Sequence, residues 1–104
     1  MRRSLRFSPA TQLVLEHFVA APSRWHYGYV LMTTLDLPSG TLYPVLMRLA
    51  DAGWLETRWE APAQNGRPPR HLYRLAGGAA PEARAVLRKW ATRALNYAQP
   101  RTAT

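Results

Sequence analysis

Side chains able to make or break bonds are few in this chain and lie far apart. His17, His26 and His71 fall in three different stretches, and no H-x-x-x-H pair offers a metal two imidazoles on one helical face. Cysteine is absent, which removes thiolate metal sites, disulfides and cysteine nucleophiles together. Glu16, Asp36, Asp51, Glu56, Glu60 and Glu82 stand singly, and neither a G-x-S-x-G elbow nor a phosphate-cradling glycine loop occurs. Asp51 and Glu56 are expected simply to balance nearby arginines. The chain does not read as an enzyme, and no cofactor or metal site is expected.

What remains is the chemistry of cations. Fourteen lysines and arginines against six acids leave a net charge of +8 on 104 residues. Residues 1–60 carry six arginines against five acids, a net of +1, while residues 61–104 carry seven arginines and one lysine against one acid, a net of +7. Such a field draws polyanions, so nucleic acid, an anionic membrane and an acidic protein are the candidate partners. Thirteen of the fourteen are arginine and alanine is abundant, a bias that a GC-rich genome would also produce.

The elements that must position these groups follow from length and pattern. At 47% hydrophobic and 19% charged residues, the chain suits one domain with at most an appended helix, and association would help its stability. The opening Met1-Arg2-Arg3 is not followed by a secretory apolar stretch, because Gln12, Glu16 and His17 interrupt it. With no apolar run of membrane-spanning length either, a soluble, cytoplasmic protein is expected. Ser8-Pro9 caps a first helix to about Ala21, with Leu13, Val14, Phe18 and Ala21 inward. A second helix is expected over 26–35, with Tyr29, Met32 and Thr33 on one stripe. After the turn Asp36 to Gly40, Leu42, Val45, Leu46 and Leu49 mark a third helix to about Ala52, with Gly40 as N-cap, Pro44 in the first turn and Gly53 as left-handed stop. Residues 54–60 and 71–75 alternate as two strands of a hairpin whose tip carries three prolines and Asn65-Gly66. A last helix spans 81–98.

This order predicts a mainly α fold with a β-hairpin: a winged helix-turn-helix over residues 8–76 and one C-terminal dimerisation helix over 80–98. The segments Tyr27-Gly28-Tyr29, Ser39-Gly40-Thr41-Leu42-Tyr43-Pro44, Arg48-Leu49, Gly53-Trp54-Leu55, Trp59-Glu60, Gly66-Arg67-Pro68 and Tyr73-Arg74-Leu75 resemble the PadR family of transcriptional regulators over residues 11–75. The S-G-T-L-Y-P block is the most specific part of that likeness. It departs from the family at Val30, where an acid is usual, and at Ala76-Gly77-Gly78, where a threonine and a glycine are usual; the single C-terminal helix resembles a shorter branch. The resemblance implies a homodimeric DNA-binding repressor, often responsive to a small apolar or aromatic effector.

In a helix-turn-helix the second helix of the motif enters the major groove by its N-terminal end, while hydroxyls and backbone amides hold phosphates. Ser39, Thr41, Tyr43 and Arg48 suit those roles, since Thr41, Pro44, Met47, Arg48 and Asp51 point away from the apolar stripe and Tyr43 lies at its border. Arg67 and Arg70, set among prolines, suit a wing tip on the DNA backbone or in the minor groove. Tyr27 would either reach a phosphate from the second helix or pack as a core aromatic. Val86, Leu87, Trp90, Ala94 and Tyr97 form an apolar stripe expected to pair with a second copy, where Trp90 is first of all interface core and, as a secondary reading, would line a pocket between the subunits for a flat aromatic ligand. Double-stranded DNA, a second copy and a small aromatic effector are thus the expected partners, and a membrane is not. The competing reading is a winged-helix protein–protein module without specific DNA binding.

Overall fold

The computed structural model describes residues 2–62 and 65–98, with side chains described as far as Leu95. Helix α1 (Pro9–Ala20) begins as expected: the Ser8 side chain accepts the Thr11 amide at 3.0 Å, and Pro9 takes the first helical position. Its inward residues are Val14, Leu15 and Phe18, whereas Leu13 is on the exposed side. The stripe is therefore turned one position from the expected one, because α1 is covered by α3 on one flank and by α4 on another.

The second helix starts later than its pattern suggests. His26–Tyr27 is a short strand, β1, and helix α2 runs from Gly28 to Leu35. The physical reason lies in the sheet: β3 (His71–Leu75) pairs with β2 (Leu55–Trp59) along one edge, and β1 satisfies the other through His26 opposite Tyr73 and Tyr27 opposite Leu72. The hairpin is thus the larger part of a three-stranded antiparallel sheet with β3 in the centre. On α2, Leu31 is the core residue; Tyr29 is exposed and Met32 half-buried.

Asp36 adopts a left-handed conformation, φ 53°, and ends α2. Only Leu37 and Pro38 then separate it from α3 (Ser39–Asp51), whose N-cap is Pro38 rather than Gly40. The Pro38 carbonyl accepts the amides of both Thr41 and Leu42, at 3.0 and 2.9 Å. Pro44 consequently lies inside the helix, in its second turn, and leaves the Gly40 carbonyl without an amide partner four residues on. At the far end Gly53, φ 87°, lets the chain reverse: the Gly53 amide bonds to the Ala50 carbonyl at 3.1 Å and the Trp54 amide to the Leu49 carbonyl at 2.9 Å. This is the Schellman geometry that a glycine beyond a helix end permits.

One core serves all elements. Val14, Leu15 and Phe18 of α1 meet Leu42, Val45, Leu46 and Leu49 of α3, Leu31 of α2, and Leu55, Tyr73 and Leu75 of the sheet. Helix α4 (Ala80–Ala98) joins this core through Ala83 and Trp90. An N-terminal arm ties the pieces together. The Arg3 amide donates to the Ala52 carbonyl at 2.8 Å, and the Trp54 indole N–H to the Arg3 carbonyl at 2.7 Å. Arg2 reaches Glu82 at 2.6 Å and the Gly77 carbonyl at 2.8 Å.

Candidate nucleic-acid interface

Helix α3 has two faces of opposite character. Leu42, Val45, Leu46 and Leu49 are sealed in the core, whereas Ser39, Thr41, Pro44, Met47, Arg48 and Asp51 are exposed on the other side. No acidic side chain lies in the first turn, so none of its own residues there offsets the positive end of the helix. The row contains two hydroxyls, a thioether and a guanidinium, which can address phosphate oxygens and base edges, and at its C-terminal end the Asp51 carboxylate. Ser39 makes no capping bond; it is the first residue of the helix with its side chain in solvent.

Tyr43 is half-buried and lies against α2. A methyl group added at Gly28 would come within 3.0 Å of Tyr43 Cε1 and 3.2 Å of both Tyr43 Oη and Tyr73 Cε2. Gly28 is therefore the place where α3 and the sheet close on the start of α2, and Tyr43 acts there as a packing residue. Through Gly28, α3 is joined to Tyr27 and Tyr29, and through these to the wing.

At the wing, the groups expected to face DNA converge on one carboxylate. Glu60 Oε2 accepts the Tyr27 hydroxyl at 3.0 Å, while Oε1 lies 3.4 Å from Arg67 Nη2, 3.7 Å from Arg70 Nε and 3.3 Å from the Arg70 amide. The Arg70 guanidinium also donates to the Tyr29 hydroxyl at 3.0 Å and sits over the rings of Tyr27 and Tyr29, 5.6 and 5.1 Å from their centroids. The tip above is shaped by Gly66, φ 76°, and by the Asn65 side chain, which accepts the Arg67 amide at 3.1 Å. Tyr27 is thus tied to Glu60 by the bond that pushes its hydroxyl above the ordinary tyrosine range. That bond places Tyr27 in the footing of the wing.

Two further clusters flank this one. The guanidinium groups of Arg58 and Arg74 each lie 4.4 Å from the Trp25 ring centre, and Arg74 pairs with Glu56 at 2.6 Å. That bond holds the Glu56 carboxyl below the usual carboxylate range and bears out its balancing role. On the opposite face of the sheet, Trp59 is 66% exposed and stacks on His71 with centroids 4.3 Å apart and planes 10° from parallel. Burial lowers the His71 pKa, and its Nδ1 shares a hydrogen bond of 2.9 Å with the Tyr73 hydroxyl. Among the described residues no group of three or more metal-ligating side chains forms.

The expected dimer stripe on α4 divides in two. Val86 and Leu87 are half-buried against the core of their own chain, and Trp90 is only 6% exposed, with Phe7 of the arm packed edge-on at 5.4 Å. The indole therefore has no open face for a flat ligand, which corrects the expected pocket there: the arm covers what the helical pattern alone left bare. Ala94 and Leu95 are exposed, and the side chain of Tyr97 lies outside the described residues.

Solved structures share this architecture. A PadR-like transcription factor from Bacteroides fragilis superimposes with a TM-score of 0.65 at 23% identity, covering 86% of this chain and 88% of its own. The protein smu.1704 from Streptococcus mutans gives 0.60 at 28% identity over 86% and 88%. The circadian clock associated protein Pex from Anabaena gives 0.55 at 18% identity over 86% and 81%. No curated protein sequence matches the chain significantly. The model of the transcriptional regulator PadR-like family matches residues 22–80, from the end of α1 to the start of α4.

The chain belongs to the PadR-like family. The PadR-like match contains α3, both wing strands and all seven residues marked out for DNA, so the family assignment covers the candidate interface itself. Members of this family are transcriptional regulators and not enzymes, in keeping with the scattered histidines and acids. The PadR-like winged helix also accounts for the third strand, which two residues of β1 are too short to announce in a sequence.

Glu60, Tyr29 and Trp59 carry no interface role in the sequence pattern, although all three belong to the site. Glu60 had a usable signal. In the hairpin register that sets Glu56 opposite Arg74, continuing the pairing by four residues sets Glu60 opposite Arg70, a cross-strand pair of opposite charge.

Proposed function

We propose that this PadR-like protein is a homodimeric, sequence-specific DNA-binding repressor acting in the cytoplasm. The exposed row on α3 carries the proposal: Thr41, Pro44, Met47 and Arg48 project from a helix whose first turn holds no acid and whose other face is locked in the core. In this reading Thr41 and Arg48 meet base edges in the major groove, Ser39 meets the backbone at the helix start, and Arg67 and Arg70 hold phosphates from the wing. Tyr43 and Tyr27 set the spacing of the two elements.

The second copy joins through the distal part of α4, where Ala94 and Leu95 are uncovered, and Val86 and Leu87 form the edge of that contact. Two-fold symmetry then sets two α3 helices about one DNA turn apart, roughly 34–36 Å, on a pseudo-palindromic operator. The test is selection of bound fragments from random duplex DNA, followed by sedimentation with the enriched site. Enrichment of an inverted repeat bound by two chains supports the reading. Retention of all sequences alike, or one chain per site, overturns it.

A further inference from the structure

Resting on the wing reading above, we propose that Glu60 is a built-in rival of the DNA phosphate, occupying in the free protein the cationic site that a backbone phosphate takes in the complex. The donor set around it suits any oxyanion: two guanidinium groups, one backbone amide and one phenol. The two kinds of donor are held differently. Tyr27 and the Arg70 amide bind Glu60 at 3.0 and 3.3 Å, and the Glu60 amide closes the hairpin on the Arg70 carbonyl at 2.9 Å, so the carboxylate is fixed to the wing base. The arginine heads stand off at 3.4 and 3.7 Å, longer than the roughly 2.7–2.9 Å of a charge-assisted bond.

The same sheet shows what a locked pair looks like, since Arg74 meets Glu56 at 2.6 Å. The Arg67 and Arg70 side chains are 42% and 29% exposed, while that of Glu60 is 17% exposed. Arg67, the more exposed, can turn outward freely, and Arg70 can do so on leaving the Tyr29 hydroxyl that it meets at 3.0 Å, whereas the anion cannot follow. When they do, the negative charge stays beneath the phosphate and repels it. Because this opposition concerns backbone phosphate, it acts on every duplex alike. Glu60 therefore sets absolute affinity and salt dependence, and leaves sequence preference to α3.

Glu60→Gln keeps an acceptor for Tyr27 and for the Arg70 amide while removing the charge. Its affinity for mixed-sequence duplex DNA is to be measured across salt concentrations beside wild type and Tyr27→Phe, which loosens the wing base but retains the charge. The expected result is tighter binding by Glu60→Gln with a salt slope steeper by about 0.9, equivalent to a relative gain of about eightfold for each tenfold fall in salt. Tyr27→Phe keeps the wild-type slope. Should Glu60→Gln not fold, Glu60→Ser removes the same charge and must steepen the slope equally. Unchanged or weaker binding by the neutral variants, or equal steepening by Tyr27→Phe, overturns the rivalry and leaves Glu60 as a positioning residue. A wild-type protein without salt-dependent DNA binding overturns the wing reading itself, and the rivalry with it.

Discussion

Helix α3 and the wing both present cations and hydroxyls to the same prospective partner, yet they are built on different principles. The exposed row of α3 rests on four core residues, Leu42, Val45, Leu46 and Leu49, so its geometry is set by apolar packing. The wing residues rest on each other: Glu60, Tyr27, Tyr29 and Arg70 form a polar knot around a loop that has little core beneath it. Core packing gives a rigid reading surface. Polar knotting gives one in which a single carboxylate partly offsets two guanidinium groups. Under the proposed function, this contrast would give sequence reading to α3 and adjustable grip to the wing.

The sharpest way to break this contrast is to weaken the support of each region in turn. Leu46→Ala, a fully buried position, is expected to cost about 2–5 kcal/mol of stability in denaturant titrations, enough to endanger a domain of this size. Arg67→Gln, at the wing tip, should leave the melt within about 0.5 kcal/mol of wild type. Comparable losses from the two would show that the wing is part of the core after all.

A smaller effect is expected where the regions join. Gly28→Ala places a methyl group 3.0 Å from Tyr43 and 3.2 Å from Tyr73, two rings already packed. The expected cost is about 1–3 kcal/mol, with a change in Tyr43 environment visible by NMR. An unaffected melt would mean that α3 and α2 can part freely, and that the spacing of helix and wing is not set at Gly28.

The smallest effect is a pH dependence that belongs to the sheet and not to α3. Burial lowers the pKa of His71 and, together with the charges of His17 and Arg24, that of His26, both below the ordinary 6.5. A histidine with a lowered pKa binds fewer protons folded than unfolded, so stability is fully present above pH 6.5 and falls as pH drops below it. Thermal melts between pH 7.5 and pH 5 should show this decline, and His71→Gln should reduce it. A midpoint that rises on acidification would contradict the assignment.

How much of this was legible in the sequence depended on the range of the interactions. The outward row of α3 followed from a helical wheel, because four apolar residues at i, i+3, i+4, i+7 determine the opposite face by themselves. The Ser8-Pro9 start and the Gly53 stop were legible for the same reason, each being a local rule. The start of α3 was misplaced because the left-handed turn at Asp36 shortened the linker, and aspartate signals such a turn only weakly. β1 was read as helix because its strand character comes from β3, some 45 residues away. The bare face assigned to Trp90 was covered by Phe7, an arm residue with no periodic pattern to announce it. The Glu60–Arg70 pair is legible in the hairpin register, but the contacts of Glu60 with Tyr27 and Arg67 are not, because β1 and the wing tip bring them in from outside that register.

The division of labour between α3 and the wing is tested most directly by one ratio, the affinity for a selected operator over that for a scrambled duplex, measured for wild type, Arg48→Ala and Arg70→Gln. If Arg48 reads a base edge and Arg70 holds a phosphate, Arg48→Ala lowers the ratio by about 1–3 kcal/mol, and Arg70→Gln weakens both duplexes alike and leaves the ratio unchanged. A ratio that survives Arg48→Ala and collapses with Arg70→Gln would contradict the account and move sequence reading to the wing.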